Sequence, residues 1–161
     1  MKIKEFQEAI AKELNTLDEL VQGGCKAFAE DSREVYKESD QHIQKGKIAV
    51  VVVTPDMQRN GANIIRRAGE QAEQGEGSES ASTAIPAETQ LLIQCSEKPQ
   101  VARVQPGVMT ALDAAEIVMY ALDGSQFCWL STRQTIDRQA GVLTATVTFA
   151  TTIHLSGGVR S

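Results

Sequence analysis

Apolar residues recur every three or four positions at the start of the chain: Ile3, Phe6, Ile10, Leu14, Leu17 and Val21, with Lys4, Glu8, Lys12 and Glu19 off the stripe. That spacing predicts one amphipathic helix, stopped by Gly23-Gly24. Residues 28–45 repeat the pattern more sparsely, through Phe28, Val35, Tyr36 and Ile43. They predict a second, mostly exposed helix, with an irregular connector as the alternative. The pattern then changes period. KIAVVVVT, residues 47–54, is a continuous β-branched run closed by Pro55, as expected of a strand covered on both faces or near a sheet centre. In residues 88–97, Leu91, Ile93 and Cys95 alternate with Gln90, Gln94 and Ser96, with Leu92 among the polar set, which predicts a second strand.

Helical spacing returns with Val108, Leu112, Ala115, Met119 and Leu122. Thr110 stands three residues before Asp113 in the manner of an N-terminal cap, and Gly124 closes the segment. A hairpin follows. FCWLSTRQTI leads through DRQAG into GVLTATVTFATTIHL, whose alternation is nearly faultless. Leu143, Ala145, Val147, Phe149, Ile153 and Leu155 share one face; Thr144, Thr146, Thr148, Thr152 and His154 share the other. A strand this long exceeds the usual five or six residues and tends to project or to offer an edge to a neighbour. The Thr-rich face has a plain explanation in the β-propensity of threonine on a half-wet sheet, and an ice-like or glycan-binding array is the sharper alternative.

The elements add up to an α+β domain of order α-(α)-β-β-α-β-β. A mixed or antiparallel sheet of about four strands is expected, with helices packed on one face. Residues 1–155 are read as a single domain, with a flexible inserted loop at about 57–87 and a disordered tail at 156–161.

Composition narrows the functional classes. The chain has 161 residues, 16 basic against 21 acidic, for a net charge of -5. A generic phosphate-backbone binder has the opposite balance, and an aromatic share of 4% supplies few rings for base stacking. The opening MKIKEFQEAIAKEL is not read as a signal peptide, and no apolar run approaches a membrane span. Cys25, Cys95 and Cys128 form no Cys-x-x-Cys pair and lie far in sequence from His42 and His154, so neither a zinc site nor a disulfide framework is expected. Cys95 and Cys128 are expected to pack as small hydrophobes in strands, and Trp129 to be core or an anchor at a subunit contact. No phosphate loop or nucleophile elbow is present, and pairings of Cys25 with His42 or Cys128 with His154 are what any such composition allows. No catalytic, cofactor-binding or metal residue is assigned.

One stretch is out of keeping with a compact domain. RNGANIIRRAGEQAEQGEGSESAS separates two predicted strands. Its first part holds Arg59, Arg66 and Arg67 around Ile64 and Ile65; its second holds Glu70, Glu73, Glu76 and Glu79 with no large apolar side chain. The second part cannot bury enough surface to offset its ordering entropy. Long insertions of this kind are solvated and idle, or they order against a partner.

The sequence of elements EFQEAIAKEL, KIAVVVVTPD, ETQLLIQCSEKP, MTALDAAEIVMYALDG and TIDRQAGVLTATVTFATTIHL resembles the tail terminator proteins of long-tailed phages. The resemblance spans nearly the whole chain as an order of elements, not as a motif of fixed residues. The second N-terminal helix and the acidic half of the insert depart from the family's simplest plan. The resemblance implies a non-catalytic subunit of a homohexameric ring in the virion tail, assembled in the host cytoplasm. Its implied partners are itself, the tail tube protein and a head-completion or connector protein, with DNA passing through the lumen without specific binding, no membrane and no cofactor. Arg59, Arg66, Arg67, Thr146, Thr148 and His154 are the candidate interface residues. The alternatives are another tail, neck or baseplate component of a phage-like machine, or a small non-catalytic bacterial binding module.

Overall fold

The computed structural model describes residues 2–30, 35–54, 57–59, 85–99 and 109–155. In chain order they form α1 (Ile3–Leu14), α2 (Asp18–Gln22), β1 (Cys25–Ala29), α3 (Val35–Gln44), β2 (Ile48–Val53), β3 (Met57–Arg59), β4 (Ile85–Glu97), α4 (Ala111–Leu122), β5 (Cys128–Asp137) and β6 (Val142–Leu155). The class is α+β, as the periodicities predict. Five strands run in the order β1-β2-β4-β6-β5, and the short β3 pairs with β4 beside them. β1 and β2 are parallel; every other pairing is antiparallel. The sheet thus has more than the expected four strands, because β1 and β3 are too short to display a period of their own.

The stripe from Ile3 to Val21 divides at Asn15. Phe6, Ile10 and Leu14 are buried on α1, and Leu20 continues the apolar side on α2, but Val21 is 53% exposed. A turn at Asn15–Leu17 rotates the second segment, with the Thr16 hydroxyl donating to the Glu13 carbonyl at 2.6 Å. Residues 28 and 29 belong to a strand and not to the second helix, which begins only at Val35. Gly24, at φ 78°, makes the turn from α2 into β1 in a conformation that side chains disfavour.

The main core lies on one face of the sheet. Val50 and Val52 of β2, Leu91, Ile93 and Cys95 of β4, and Ala145, Val147, Phe149 and Ile153 of β6 meet Phe6, Ile10, Leu14, Leu20 and the small face of α4. That face is Ala111, Ala114, Ala115 and Val118, which brings α4 close to the strands. Leu112 and Met119, expected on its inner stripe, are only half-buried. Thr110 accepts from the Asp113 amide at 3.2 Å while Asp113 accepts from the Thr110 amide at 3.0 Å, the predicted cap. Glu97 is buried at the end of β4. Burial pushes its carboxyl above the ordinary range, the hydrogen bond from the Ala111 amide opposes this, and Asp113 adds to the rise.

α3 corrects the expectation that all helices share one face. Phe28, Ala49 and Val51 alternate with the core-facing Ala27 and Val50, so β1 and β2 are apolar on both sides. Val35 and Ile43 of α3 cover the second side. His42 of the same helix lies with Nε2 2.9 Å from the Gly24 carbonyl and its ring edge-on to Phe28. Burial lowers its pKa below the ordinary 6.5; the Gly24 hydrogen bond opposes this, and Lys47 and Lys26 add to it.

Two outcomes test this arrangement. Phe149→Ala empties the centre of the core and is expected to cost about 3–5 kcal/mol in urea unfolding. A His42 pKa depressed by folding makes its contribution complete above pH 6.5 and lost as pH falls toward the folded value. Unfolding free energy measured from pH 7.5 downward is therefore expected to fall less steeply in His42→Gln than in the wild type.

Candidate assembly surface

The β5–β6 hairpin is built to project. Its turn is held by Asp137, whose Oδ1 accepts from the Gln139 and Ala140 amides, each at 3.1 Å. Gly141 closes the turn at φ 67°, a value that favours glycine. At the other end Phe127 is buried, packing 6.1 Å from Phe6 and 6.4 Å from Phe149 between ring centroids. The Thr151 hydroxyl donates to the Gln126 carbonyl at 3.0 Å, and the Trp129 amide donates to Asp123 Oδ1 at 3.0 Å. The root of the hairpin is thereby fixed to the core and to the end of α4.

Beyond that root β5 stands in water. Of its ten residues only Thr132 is even half-buried. A bulge between Trp129 and Ser131 lets Trp129, Thr132, Gln134 and Ile136 share the side of α1 and α4, yet Trp129 is 43% exposed and Ile136 66%. Leu130, in the bulge, is 49% exposed. Trp129 is therefore not core; its indole N–H donates to Thr132 Oγ1 at 3.0 Å. The outer backbone edge of β5 has no strand beside it among the described residues.

The opposite face of the hairpin is polar. Thr146 stands in a row between Gln94 and Arg133, and Thr148 between Leu92 and Ser131. Both threonines are half-buried, and in the next row Thr144 and Ser96 share a hydrogen bond of 2.9 Å between their hydroxyls. A groove of about 400 Å³ separates this face from α3, lined among others by Tyr36, Ile43, Val51, Gln94 and Ser96. His154 is exposed on the same face, opposite Pro86. Arg59 pairs in β3 with Ala87, the residue after Pro86, so the backbone brings positions 59 and 154 to the same end of β4. Thr146 and Thr148 lie further along β6 and do not join them. Arg66 and Arg67 fall outside the described residues, as does the acidic half of the insert and the segment 156–161.

The cysteines separate by environment. Cys95 is buried in the core as expected, and burial together with Cys25 raises its thiol pKa. Cys25 donates to the Met109 sulfur at 3.5 Å; burial, then the Glu97 carboxylate, pushes its pKa up to about 12. Cys128 is exposed on β5, contrary to the expectation of a packed small hydrophobe, because no helix among the described residues reaches over it. Cys25 bonds to Met109 while His42 bonds to Gly24, and Cys128 pairs with Ala150, four residues along β6 from His154. Among the described residues no group of three or more His, Cys, Asp or Glu could hold a metal ion, and no helix is long and apolar enough to cross a membrane.

Two features escape the pattern of the chain: the exposure of Leu130 and Ile136 on this surface, and a contact between Asn15 and Ala27 at the opposite edge of the sheet. In sequence the former look like any inward members of a strand, since alternation reports two faces but not which of them is covered. No protein-family model matches the chain, and no curated protein matches it.

The thiols give a direct check on the open edge. A disulfide reagent at pH 8 is expected to modify Cys128 rapidly in the native protein, with Cys25 and Cys95 reacting only on unfolding. Rapid modification of a second thiol contradicts the packing around Met109.

Proposed function

We propose that the protein is a structural, non-catalytic phage or prophage tail subunit. As a tail terminator it assembles with copies of itself into a hexameric ring that caps the tail tube, stops its polymerisation and offers a surface to the head-joining protein. The observation that carries the reading is β5. It is a ten-residue edge strand in water on both faces, and it presents Trp129, Leu130 and Ile136. Long edges of this kind invite a further strand, and proteins that remain alone shorten, charge or cover them. Here the strand carries one basic and one acidic residue, Arg133 and Asp137, and the tertiary structure holds it out on an anchored hairpin.

Part of the element order supports the same reading: α1, β2, β4, α4 and the closing β5–β6 hairpin follow the plan of that family, with α2, β1, α3 and β3 added to it. A ring needs one heterologous contact repeated around its axis. An open strand on one side and a docking segment elsewhere suffice for it. Arg66 and Arg67, with Arg59, are the residues of the insertion suited to an acidic surface on a neighbour, on the tube or on passing DNA.

Light scattering on a size-exclusion column, across protein and magnesium concentrations, is expected to find a discrete hexamer. The double change Leu130→Lys with Ile136→Lys is expected to leave the circular dichroism of the fold unchanged and to dissociate the ring. A hexamer that survives this change removes β5 from the contact. A strict monomer of the wild type at every concentration, with and without added tube protein, removes the ring.

A further inference from the structure

The sheet has a second edge, β1, and among the described residues one side chain bonds along it. Successive residues of a strand direct their backbone N–H and C=O groups to alternate edges. Gly24 accepts from the Ile48 amide and the Glu30 amide donates to Val52 at 3.0 Å, so the even-numbered residues here face β2. Cys25, Ala27 and Ala29 therefore direct their backbone groups outward. The middle one is occupied. Asn15 Oδ1 accepts from the Ala27 amide at 2.8 Å, and Asn15 Nδ2 donates to the Ala27 carbonyl at 3.0 Å. One carboxamide thus makes the donor–acceptor pair that a residue of an adjoining strand makes. Asn15 is the C-cap of α1, with its own amide bonded to Ala11, so the end of a packed helix holds it in place.

The two edges have compatible directions. β1 and β2 run together, β4 runs against them, β6 returns to the direction of β1, and β5 runs against it. Copies placed side by side around an axis along the strands bring β5 of one antiparallel to β1 of the next. Such a junction continues the sheet from copy to copy with ordinary antiparallel bonding. Among the described residues no strand lies beside β5, and β1 meets only Asn15 along its outer backbone edge.

We propose that Asn15 is an edge latch: in the isolated subunit its carboxamide holds the Ala27 positions that β5 of a second copy takes on assembly. The latch rests on the ring reading given above for its setting. It makes the ring contact conditional, since a subunit in solution exposes the β5 edge while the middle of its β1 edge is already bonded. Displacement of Asn15 exchanges two hydrogen bonds for a ladder with Cys25, Ala27 and Ala29, so the closed form persists until copies are concentrated or aligned on a template.

The experiment is a concentration series by light scattering on the wild type, on Asn15→Ala and on Asn15→Ala with Gln134→Pro, each checked for folding by circular dichroism. Asn15→Ala is expected to lower the assembly midpoint by about tenfold, equivalent to about 1.4 kcal/mol. Gln134→Pro, which spoils β5 as a strand partner, is expected to abolish that gain. Hydrogen exchange on the wild type supplies a readout independent of whether Asn15→Ala folds: the Cys25 and Ala29 amides are expected to become protected on assembly. An assembly midpoint unchanged in folded Asn15→Ala overturns the latch and leaves the ring reading standing, as do Cys25 and Ala29 amides that exchange equally in free and assembled protein. Absence of assembly in both wild type and Asn15→Ala at every concentration overturns the ring reading and the latch together.

Discussion

The structure depends on the antiparallel ladder between β4 and β6. All thirteen residues of β4 have a partner in β6, from Ile85 opposite Leu155 to Glu97 opposite Leu143. The ladder joins two segments far apart in the chain and sets one register for both. Leu91 then faces Phe149, Ile93 faces Val147 and Cys95 faces Ala145, all fully buried on the side of α1 and α4. A slip by one residue would move every one of these side chains to the polar face and bring the threonines into the core. Register is therefore held by burial as well as by backbone bonding.

From that axis the two halves of the sheet differ. On the β2 side the strands are apolar on both faces and are covered twice, by α1 with α2 and by α3. On the β5 side the cover runs out: α4 ends at Leu122, and β5 continues past it with only Thr132 sheltered. The same asymmetry governs the edges, with β1 closed at Ala27 by Asn15 and β5 without a neighbouring strand among the described residues. One half is enclosed, with Asn15 bonded along its edge; the other projects, with no strand beside it among the described residues. This asymmetry also explains why the reactive-looking side chains separate, with Cys25 and Cys95 raised by burial in the covered half and Cys128 in water on the other.

Much of this was legible in the order of residues. Alternation in 142–155 and the cap at Thr110 and Asp113 depend on neighbours a few positions away, and the local rules that describe them hold in the fold. The class followed because long periodic segments dominate it. The short elements did not. Cys25–Ala29 is five residues with no complete period, and Met57–Arg59 is three, so each exists only because β2 or β4 offers it a ladder. Of the candidate interface residues, Thr146, Thr148 and His154 share the expected polar face; outside that set, Cys128 is exposed where packing was expected, and Trp129 is not core, because no helix among the described residues covers them.

The chain by itself determined the periods, the breaks between them and which side chains share a face, since these are set by backbone geometry over a few residues. The tertiary structure alone decided which faces are covered, that α3 lies opposite the other helices, and that Asn15 at the end of α1 meets Ala27 in the middle of β1. Such outcomes depend on where segments distant in sequence come to rest. A period of two is the same whether a strand ends beneath a helix or in water, and a carboxamide at a helix end gives no sign of the strand edge it will close.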